Sequence, residues 1–207
     1  MPKKALIFDL GGVIVPLDFQ QAYTRMEPLC AYSAAEIPKR IGSTDLVRRL
    51  ECGQIEPEPF AHELLTLLGA KPMPYEEFQQ FWSWIFRPGP ILPESLFRSL
   101  REQYRLILLS NTNSMHYELL SRQYPLLDLF HEKVLSYKVG AMKPDPAIYL
   151  EAIKQAGCLP EECFFTDDVL PYVEGARQQG IDAVQFQSPE QLATELHLRG
   201  ITWESSI

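Results

Sequence analysis

Three short apolar runs in this chain end abruptly in polar residues. They are Ala5 to Phe8, Arg105 to Ser110 and Cys163 to Thr166. Each is followed within two residues by an acid, an amide or both, and helix-like sequence lies on either side. Short apolar runs bounded by turn residues are typical of strands that are buried on both faces. The pattern predicts a parallel α/β sheet, in which the polar residues after the strands gather at one edge.

Apolar residues recur at helical spacing between these runs and predict crossover helices. The predicted helices are Pro93 to Gln103, Ser114 to Gln123, Pro146 to Ala156 and Val169 to Gln179. The third has the clearest pattern, because Gly157 is a suitable stop and one face can be assigned. The residues predicted to form that face are Tyr149, Leu150, Ile153 and Ala156.

The stretch from residue 17 to residue 87 has a different pattern. It shows helical periodicity, contains no apolar run resembling a buried strand, and is interrupted by prolines and glycines. We interpret it as about four helices inserted after the first strand. The sequence therefore predicts a core formed by residues 1–16 and 88–207, with residues 17–87 as an α-helical cap.

Composition and charge exclude several classes of protein. The chain has 207 residues, a formal net charge of −8 and no basic cluster longer than Lys3-Lys4, which argues against a nucleic-acid partner. Its apolar N-terminal run contains Asp9, and no stretch has the length that a membrane span needs. The four cysteines have no zinc-site spacing and are predicted to be reduced thiols. We expect a cytoplasmic protein with no membrane partner; the sequence carries no signal for oligomeric state.

Carboxylates follow two of the predicted strands. Asp9 ends the first, and the adjacent pair Asp167 and Asp168 ends the third. Asp9 alone is explained equally well as a turn former or a helix cap. An adjacent acidic pair, however, is repulsive unless a cation lies between it and a partner. The three carboxylates together predict an oxygen-ligand site for Mg²⁺.

Three further residues offer groups that bind phosphate. Ser110 and Asn111 provide a hydroxyl and backbone N–H groups before a predicted helix, and Lys143 provides a positive charge. Taken singly, such a turn is usually a helix cap and such a lysine is usually solvated. The prediction of a phosphate site therefore rests on their combination with the carboxylates.

Four segments, in order, resemble the motifs of the haloacid dehalogenase (HAD) superfamily. They are FDLGGV at Phe8–Val13, LSNTN at Leu109–Asn113, GAMKPDP at Gly140–Pro146 and FFTDDVLPYVEGA at Phe164–Ala176. The resemblance covers the whole core, and the insertion lies where that superfamily has its helical cap. Within it, the chain is most similar to capped sugar-phosphate phosphatases of the glucose-1-phosphate phosphatase type.

The resemblance implies a Mg²⁺-dependent phosphatase that hydrolyses a small phosphomonoester. Asp9 would be the nucleophile and would form an aspartyl-phosphate. Its second oxygen, the backbone carbonyl of Gly11 and the side chain of Asp168 would hold Mg²⁺. Asp167 would bind the metal through water or orient its neighbours.

The resemblance also assigns the phosphate-binding residues. Ser110, Asn111 and Lys143 would bind the remaining phosphate oxygens. Lys143 would in addition lower the pKa of the nucleophile, so it is counted as catalytic too. The partner implied is a small phosphorylated molecule.

Two positions depart from the motifs. The usual first motif has a second aspartate that protonates the leaving oxygen, but this chain has Gly11 there. Loss of a positioned acid typically costs about 10² to 10⁴ in rate. Tyr172 stands where the family often has asparagine, which is expected to weaken orientation of the metal carboxylates.

Gly11 leaves four hypotheses open. The substrate has a good leaving group, or another group substitutes for the acid: His62 or a cap acid, Asp18, or the substrate itself. Alternatively, the reaction is of the haloacid dehalogenase type, or the chain is a weakly active or inactive scaffold that binds a phosphorylated ligand or a partner. His116 and His131 fit packing as well as catalysis. The segment from Glu51 to Glu56 resembles the E-x-G-x-I stretch of related caps and is interpreted as a helix-ending turn.

Overall fold

The computed structural model describes residues 1–203; the last four residues of the predicted core, 204–207, lie outside the described residues. Within this range the strands are β1 (Ala5–Phe8), β2 (Arg105–Ser110), β3 (Glu132–Leu135), β4 (Cys163–Asp167) and β5 (Asp182–Gln185). The helices are α1 (Phe19–Met26), α2 (Ile37–Gly42), α3 (Leu46–Glu51), α4 (Pro57–Leu67), α5 (Tyr75–Trp82), α6 (Glu94–Gln103), α7 (Ser114–Gln123), α8 (Ser136–Val139), α9 (Pro146–Ala156), α10 (Leu170–Gln178) and α11 (Pro189–Leu198).

The strands form one parallel sheet in the order β3-β2-β1-β4-β5. β1 lies in the centre, and its last residue, Phe8, pairs with Leu108 of β2 and Thr166 of β4. The three strands predicted from apolar runs are therefore the three central ones. The sequence analysis did not predict β3 and β5, which lie at the edges and carry polar residues among the apolar ones.

Side chains of the central strands alternate between two apolar layers. Leu6 and Phe8 pack on one face with helices α6, α7 and α11. Ala5 and Ile7 pack on the other face with α9 and α10. Helices on both faces of a parallel sheet are the arrangement that a Rossmann-like fold requires, so the predicted fold class is confirmed.

The predicted crossover helices are confirmed to within one residue at each end. One predicted face is wrong in detail. Leu150 of α9 is 55% exposed, whereas the buried face contains Ile148, Tyr149, Ala152 and Ala156. Adjacent helical residues are rotated by about 100°, so Leu150 turns away from the sheet when its neighbour Tyr149 faces it.

Helices α1 to α5 lie between β1 and β2 in sequence and share an apolar cluster, which also includes Met115 of α7. Phe81 and Trp82 belong to that cluster, whereas Phe86 packs against the core of the sheet. The two chain segments that join these helices to the sheet lie side by side. Asp18 N–H donates to the Ile85 carbonyl at 2.7 Å. Among residues 1–203, no helix combines the length and apolar character needed to cross a bilayer.

Candidate active site

A buried ammonium group lies between two carboxylates at the end of the central strands. Lys143 Nζ is 2.8 Å from Asp9 Oδ1 and 2.5 Å from Asp167 Oδ2, and it donates to the Leu109 carbonyl at 3.2 Å. These contacts use the three donors of the ammonium. Burial lowers the pKa of Lys143, but the two carboxylates outweigh this effect and the net pKa is raised. The lysine therefore remains charged beside Asp9.

Asn111, at the end of β2, holds the backbone of Lys143 in place. Its Oδ1 accepts from Lys143 N–H at 2.8 Å, and its Nδ2 donates to the Lys143 carbonyl at 3.0 Å. Ser110 precedes it and is 2% exposed. The sequence predicted both residues at a phosphate site, and it did not predict the positioning contacts of Asn111.

Three carboxylates meet beside the ammonium. Asp9, Asp167 and Asp168 each place one oxygen so that all three oxygens lie within 4.8 Å of one another. Asp9 Oδ1 also accepts from Leu10 N–H at 2.7 Å, and Asp167 Oδ1 accepts from Val169 N–H at 2.8 Å. The sequence-based grouping of these acids is therefore observed as a geometric cluster.

The cluster carries more negative than positive charge. Burial raises the pKa of Asp9 to about 7, with Lys143 opposing this rise and Asp167 adding to it. Burial and the charge of Asp167 also raise the pKa of Asp168. Three carboxylates facing one ammonium are stabilised when a cation binds among them. All the side-chain donor atoms are oxygens, which Mg²⁺ prefers.

Gly12 allows the loop after Asp9 to pass close to Asp168. A Cβ atom at position 12 would lie 2.3 Å from Asp168 Oδ2, and the φ of Gly12 is +77°. Both the contact distance and the backbone angle therefore require glycine. The loop cradles the Asp168 carboxylate against Asp9, and the residues present fit a divalent cation.

Gly12→Ala is expected to weaken Mg²⁺ binding by about 10- to 100-fold, because the added methyl displaces the Asp168 carboxylate. Gly157→Ala is the matched control, since Gly157 also has a positive φ, +66°, but an added Cβ meets no atom within 4 Å. Each alanine costs about 1 kcal/mol of backbone strain. Calorimetric Mg²⁺ titration should separate the two variants, and equal affinities would contradict the cradle.

A cavity of about 210 Å³ opens beside this cluster, between the inserted helices and the sheet. Gly11, Ser110 and Asn111 line its sheet side, and the inserted segment contributes mainly apolar side chains together with Glu51. Clefts of about 490 and 510 Å³ exist elsewhere, but the strand-end residues do not line them. A mainly apolar cavity with a few convergent polar groups is typical of a small-molecule site.

The two named substitutes for the missing acid are not lining residues of this cavity. Asp18 caps α1 by accepting from Gln21 N–H at 2.8 Å and pairs with Arg87, and this hydrogen bonding lowers its pKa. His62 lies on α4 and lines a different cleft. Neither residue therefore lines the cavity beside Asp9, Asp167 and Asp168.

The two histidines left open by the sequence make structural contacts. His116 lines the cavity, but its Nδ1 accepts from the Asn113 amide at 3.1 Å and its Nε2 donates to the Trp82 carbonyl at 3.2 Å. Burial lowers the pKa of His116 to about 4. His131 accepts from Leu106 N–H at 3.0 Å, near the amino end of β2. His131 is thus at the opposite end of the sheet.

Tyr172 covers the buried ammonium. Its ring centroid is 5.2 Å from Lys143 Nζ, and its carbonyl accepts from the Tyr149 hydroxyl at 2.7 Å. The sequence marked this position only as a departure from a motif that usually has asparagine. The tyrosine ring makes a cation–π contact with Lys143, and its effect on the metal carboxylates stays a prediction.

The chain belongs to the haloacid dehalogenase-like hydrolases, whose family model matches residues 3–180. The predictions of this superfamily and of a phosphatase-type hydrolase are confirmed. A D-ribitol-5-phosphate phosphatase from Bacteroides thetaiotaomicron is 29% identical, over 93% of this chain and 96% of the relative. A phosphorylated carbohydrates phosphatase from Thermotoga maritima is 29% identical, over 87% of this chain and 83% of the relative.

A solved structure shares this fold over most of the chain. A HAD family enzyme from Bacteroides thetaiotaomicron, in complex with magnesium and inorganic phosphate, has a TM-score of 0.76 and 26% identity. The alignment covers 90% of this chain and 96% of that one. The likeness therefore spans both the sheet and the inserted helices.

Proposed function

We propose that this protein is a Mg²⁺-dependent phosphatase that hydrolyses a small sugar phosphate through an aspartyl-phosphate. The observation that best supports this proposal is the placement of Asp9 at the end of the central strand, between Lys143 and the acidic pair. Both hydrogen bonds to the Asp9 carboxylate reach Oδ1. Within residues 1–203, Oδ2 has no hydrogen-bond partner, so one oxygen of the Asp9 carboxylate is free of hydrogen-bond donors.

The reaction has two displacements at phosphorus. An oxygen of Asp9 attacks the phosphorus as the bond to the leaving oxygen breaks, which gives the aspartyl-phosphate and the alcohol. Water then attacks the same phosphorus, releases inorganic phosphate and restores the Asp9 carboxylate. Lys143 keeps Asp9 oriented and favours its charged form.

The metal ligands proposed are Asp9, the Gly11 carbonyl and Asp168. Asp167 is assigned an orienting role, because one of its oxygens is held by Lys143 and the other by Val169 N–H. Bound Mg²⁺ supplies positive charge that offsets the repulsion between Asp9 and a phosphate dianion. Magnesium in a related HAD structure supports this choice of cation.

Ser110 and Asn111 are proposed to bind the remaining phosphate oxygens. Ser110 and Asn111 line the cavity that adjoins the acidic cluster, which supports this assignment. The phosphate contact expected of Lys143 is corrected, because its three donors already contact Asp9, Asp167 and the Leu109 carbonyl, and we propose that it contributes its positive charge. We further propose residues 17–87 as a cap and residues 1–16 and 88–207 as the core. A cap that closes over a bound phosphate excludes water from the reaction. The named activities of the two relatives support a sugar phosphate as the substrate class.

Magnesium should stabilise the protein more at pH 8 than at pH 5.5. The folded-state pKa of Asp9, about 7, lies above its ordinary value near 4, so the metal-free fold loses stability as pH rises between these values. Above pH 7 Asp9 is charged and binds Mg²⁺; at pH 5.5 a proton competes. Thermal unfolding with and without Mg²⁺ measures this effect. A melting-temperature increase of equal size at both pH values would contradict the site.

The function is tested by assaying purified protein with Mg²⁺ against sugar phosphates, aryl phosphates and 2-haloacids, beside an Asp9→Asn variant. We expect phosphate release that needs both Mg²⁺ and Asp9. Metal-free turnover of a haloacid would replace the phosphatase by a dehalogenase. No turnover above the variant for any compound would favour a binding scaffold.

A further inference from the structure

Glu51 lies at the end of α3, and its side chain lines the cavity that Gly11 and Ser110 line from the sheet side. It is partly buried, yet it makes no hydrogen bond or ion pair with any residue of the described part of the chain. A carboxyl group withdrawn from water without a partner costs free energy. An unpaired carboxyl beside the reaction site is therefore expected to have a role in the chemistry.

The turn after Glu51 is seated on the sheet domain. Gly53 has a φ of +65°, and a Cβ atom there would lie 2.4 Å from the carbonyl oxygen of Tyr137, which belongs to α8. Only glycine permits this close approach. The contact fixes the end of α3 against the core, so Glu51 is held over the cavity by the same E-x-G sequence that ends the helix.

Other titratable residues that line the cavity are poor proton carriers at neutral pH. His116 uses both ring nitrogens in hydrogen bonds, and burial lowers its pKa to about 4. Burial raises the pKa of Tyr23 above its ordinary value of 10. Burial also raises the pKa of Glu51, to about 7, while the charge of Lys143 opposes this rise. Glu51 can therefore gain and lose a proton near neutral pH.

The backbone at position 11 leaves room for an acid supplied from elsewhere. Gly11 has no side chain, and the space that its Cβ would enter is bounded by Leu17 Cδ1 at 3.0 Å. Leu17 and Glu51 line the same cavity. Glu51 therefore lies in the same cavity as position 11, which has no acidic side chain of its own.

We propose that Glu51 is the proton donor and acceptor of the reaction, a role that rests on the proposed phosphatase function. The Glu51 carboxyl gives its proton to the leaving oxygen as the P–O bond breaks. Its carboxylate then takes a proton from the water that attacks the aspartyl-phosphate. The cycle restores protonated Glu51 and ionised Asp9, so atoms and charges balance.

The pH profile is the first readout. Several titratable groups interact with the Glu51 charge or line the same cavity. They are Lys143 and Tyr172 of the core, together with Cys52, Tyr23 and His116. The donor must be protonated, so kcat/KM of the wild type should fall as pH rises through the pKa of Glu51. The variant Glu51→Gln should lack this basic limb. Glu51→Asp should keep the limb at a reduced rate.

The leaving group is the second readout. For an alkyl phosphate such as a sugar phosphate, Glu51→Gln should lower kcat/KM by about 10²- to 10⁴-fold. For p-nitrophenyl phosphate the loss in kcat/KM should be less than about tenfold, because that leaving group needs little protonation. Glu56→Gln makes the same chemical change at an exposed position of the same segment and should match the wild type on both substrates.

The outcomes distinguish the proton-transfer role of Glu51 from the phosphatase function on which it rests. Full activity of Glu51→Gln on the alkyl phosphate, or equal losses on both substrates with an unchanged pH profile, would overturn the proton-transfer role alone. Absence of turnover by the wild type would overturn the phosphatase function and this role with it. A folded Glu51→Gln variant is expected, because it removes an unpaired carboxyl; its melting temperature at pH 8 should equal or exceed that of the wild type.

Discussion

Replacing Asp9 by Asn should reduce turnover by about 10⁴-fold or more while the protein stays folded, because the substitution removes the attacking oxygen. Asn keeps the size of the side chain, and Lys143 keeps its contact with Asp167. The variant also loses one of three mutually repelling carboxylates, so its free energy of unfolding at pH 8 without metal should not decrease. Steady-state assays and chemical denaturation measure the two effects.

Asp45→Asn is a matched control for this prediction. Asp45 is exposed at the start of α3, and its side chain makes no cap hydrogen bond there. The control should retain wild-type turnover. If Asp9→Asn retained more than a few percent of the activity, nucleophilic attack by Asp9 would be wrong.

Replacing Lys143 by Met should abolish activity and destabilise the protein by about 3 to 5 kcal/mol at pH 8, because two buried carboxylates lose their counter-charge. The loss should shrink as pH falls below 7. Asp9 then becomes protonated in the folded state, and this removes part of the unpaired charge. Denaturant unfolding of the wild type and the variant between pH 5 and pH 8 measures the difference.

A second substitution checks the origin of that loss. Asp167→Asn in the Lys143→Met background removes one of the unpaired carboxylates and should recover part of the lost stability. Lys133→Met, at an exposed lysine of β3 whose ion-pair distance to Asp128 is 4.0 Å, should change stability by less than about 1 kcal/mol. No recovery in the double variant would contradict the charge-pairing explanation.

The fold was predictable where burial dominates the sequence pattern. β1, β2 and β4 are covered on both faces, so their apolar runs are continuous and mark them clearly. β3 and β5 pair on one side only, and their mixed sequences resemble loops. The predicted buried face of α9 wrongly included Leu150, because apolar spacing alone did not fix the rotation of the helix to within one residue.

The charged centre was predictable because parallel strands bring their carboxyl ends together. Asp9 and the acidic pair could be placed at one edge of the sheet from the ends of the predicted strands, and Lys143 was added as a positive charge that a phosphate would need. Side-chain partners were not predictable in the same way. The two hydrogen bonds between the Asn111 side chain and the Lys143 backbone depend on how the loops pack against the sheet. The position of Glu51 at the cavity depends on how the inserted helices pack there.

The central claim is that the phosphoryl group passes through Asp9. It is tested most directly by rapid acid quenching of the wild-type protein during turnover with Mg²⁺, followed by peptide mass spectrometry. We expect a phosphoryl group on the peptide that contains Asp9, conversion of Asp9 to homoserine by borohydride, and neither product in Asp9→Asn. Steady turnover with no label at residue 9, or with label at another residue, would show that the phosphoryl group does not pass through Asp9.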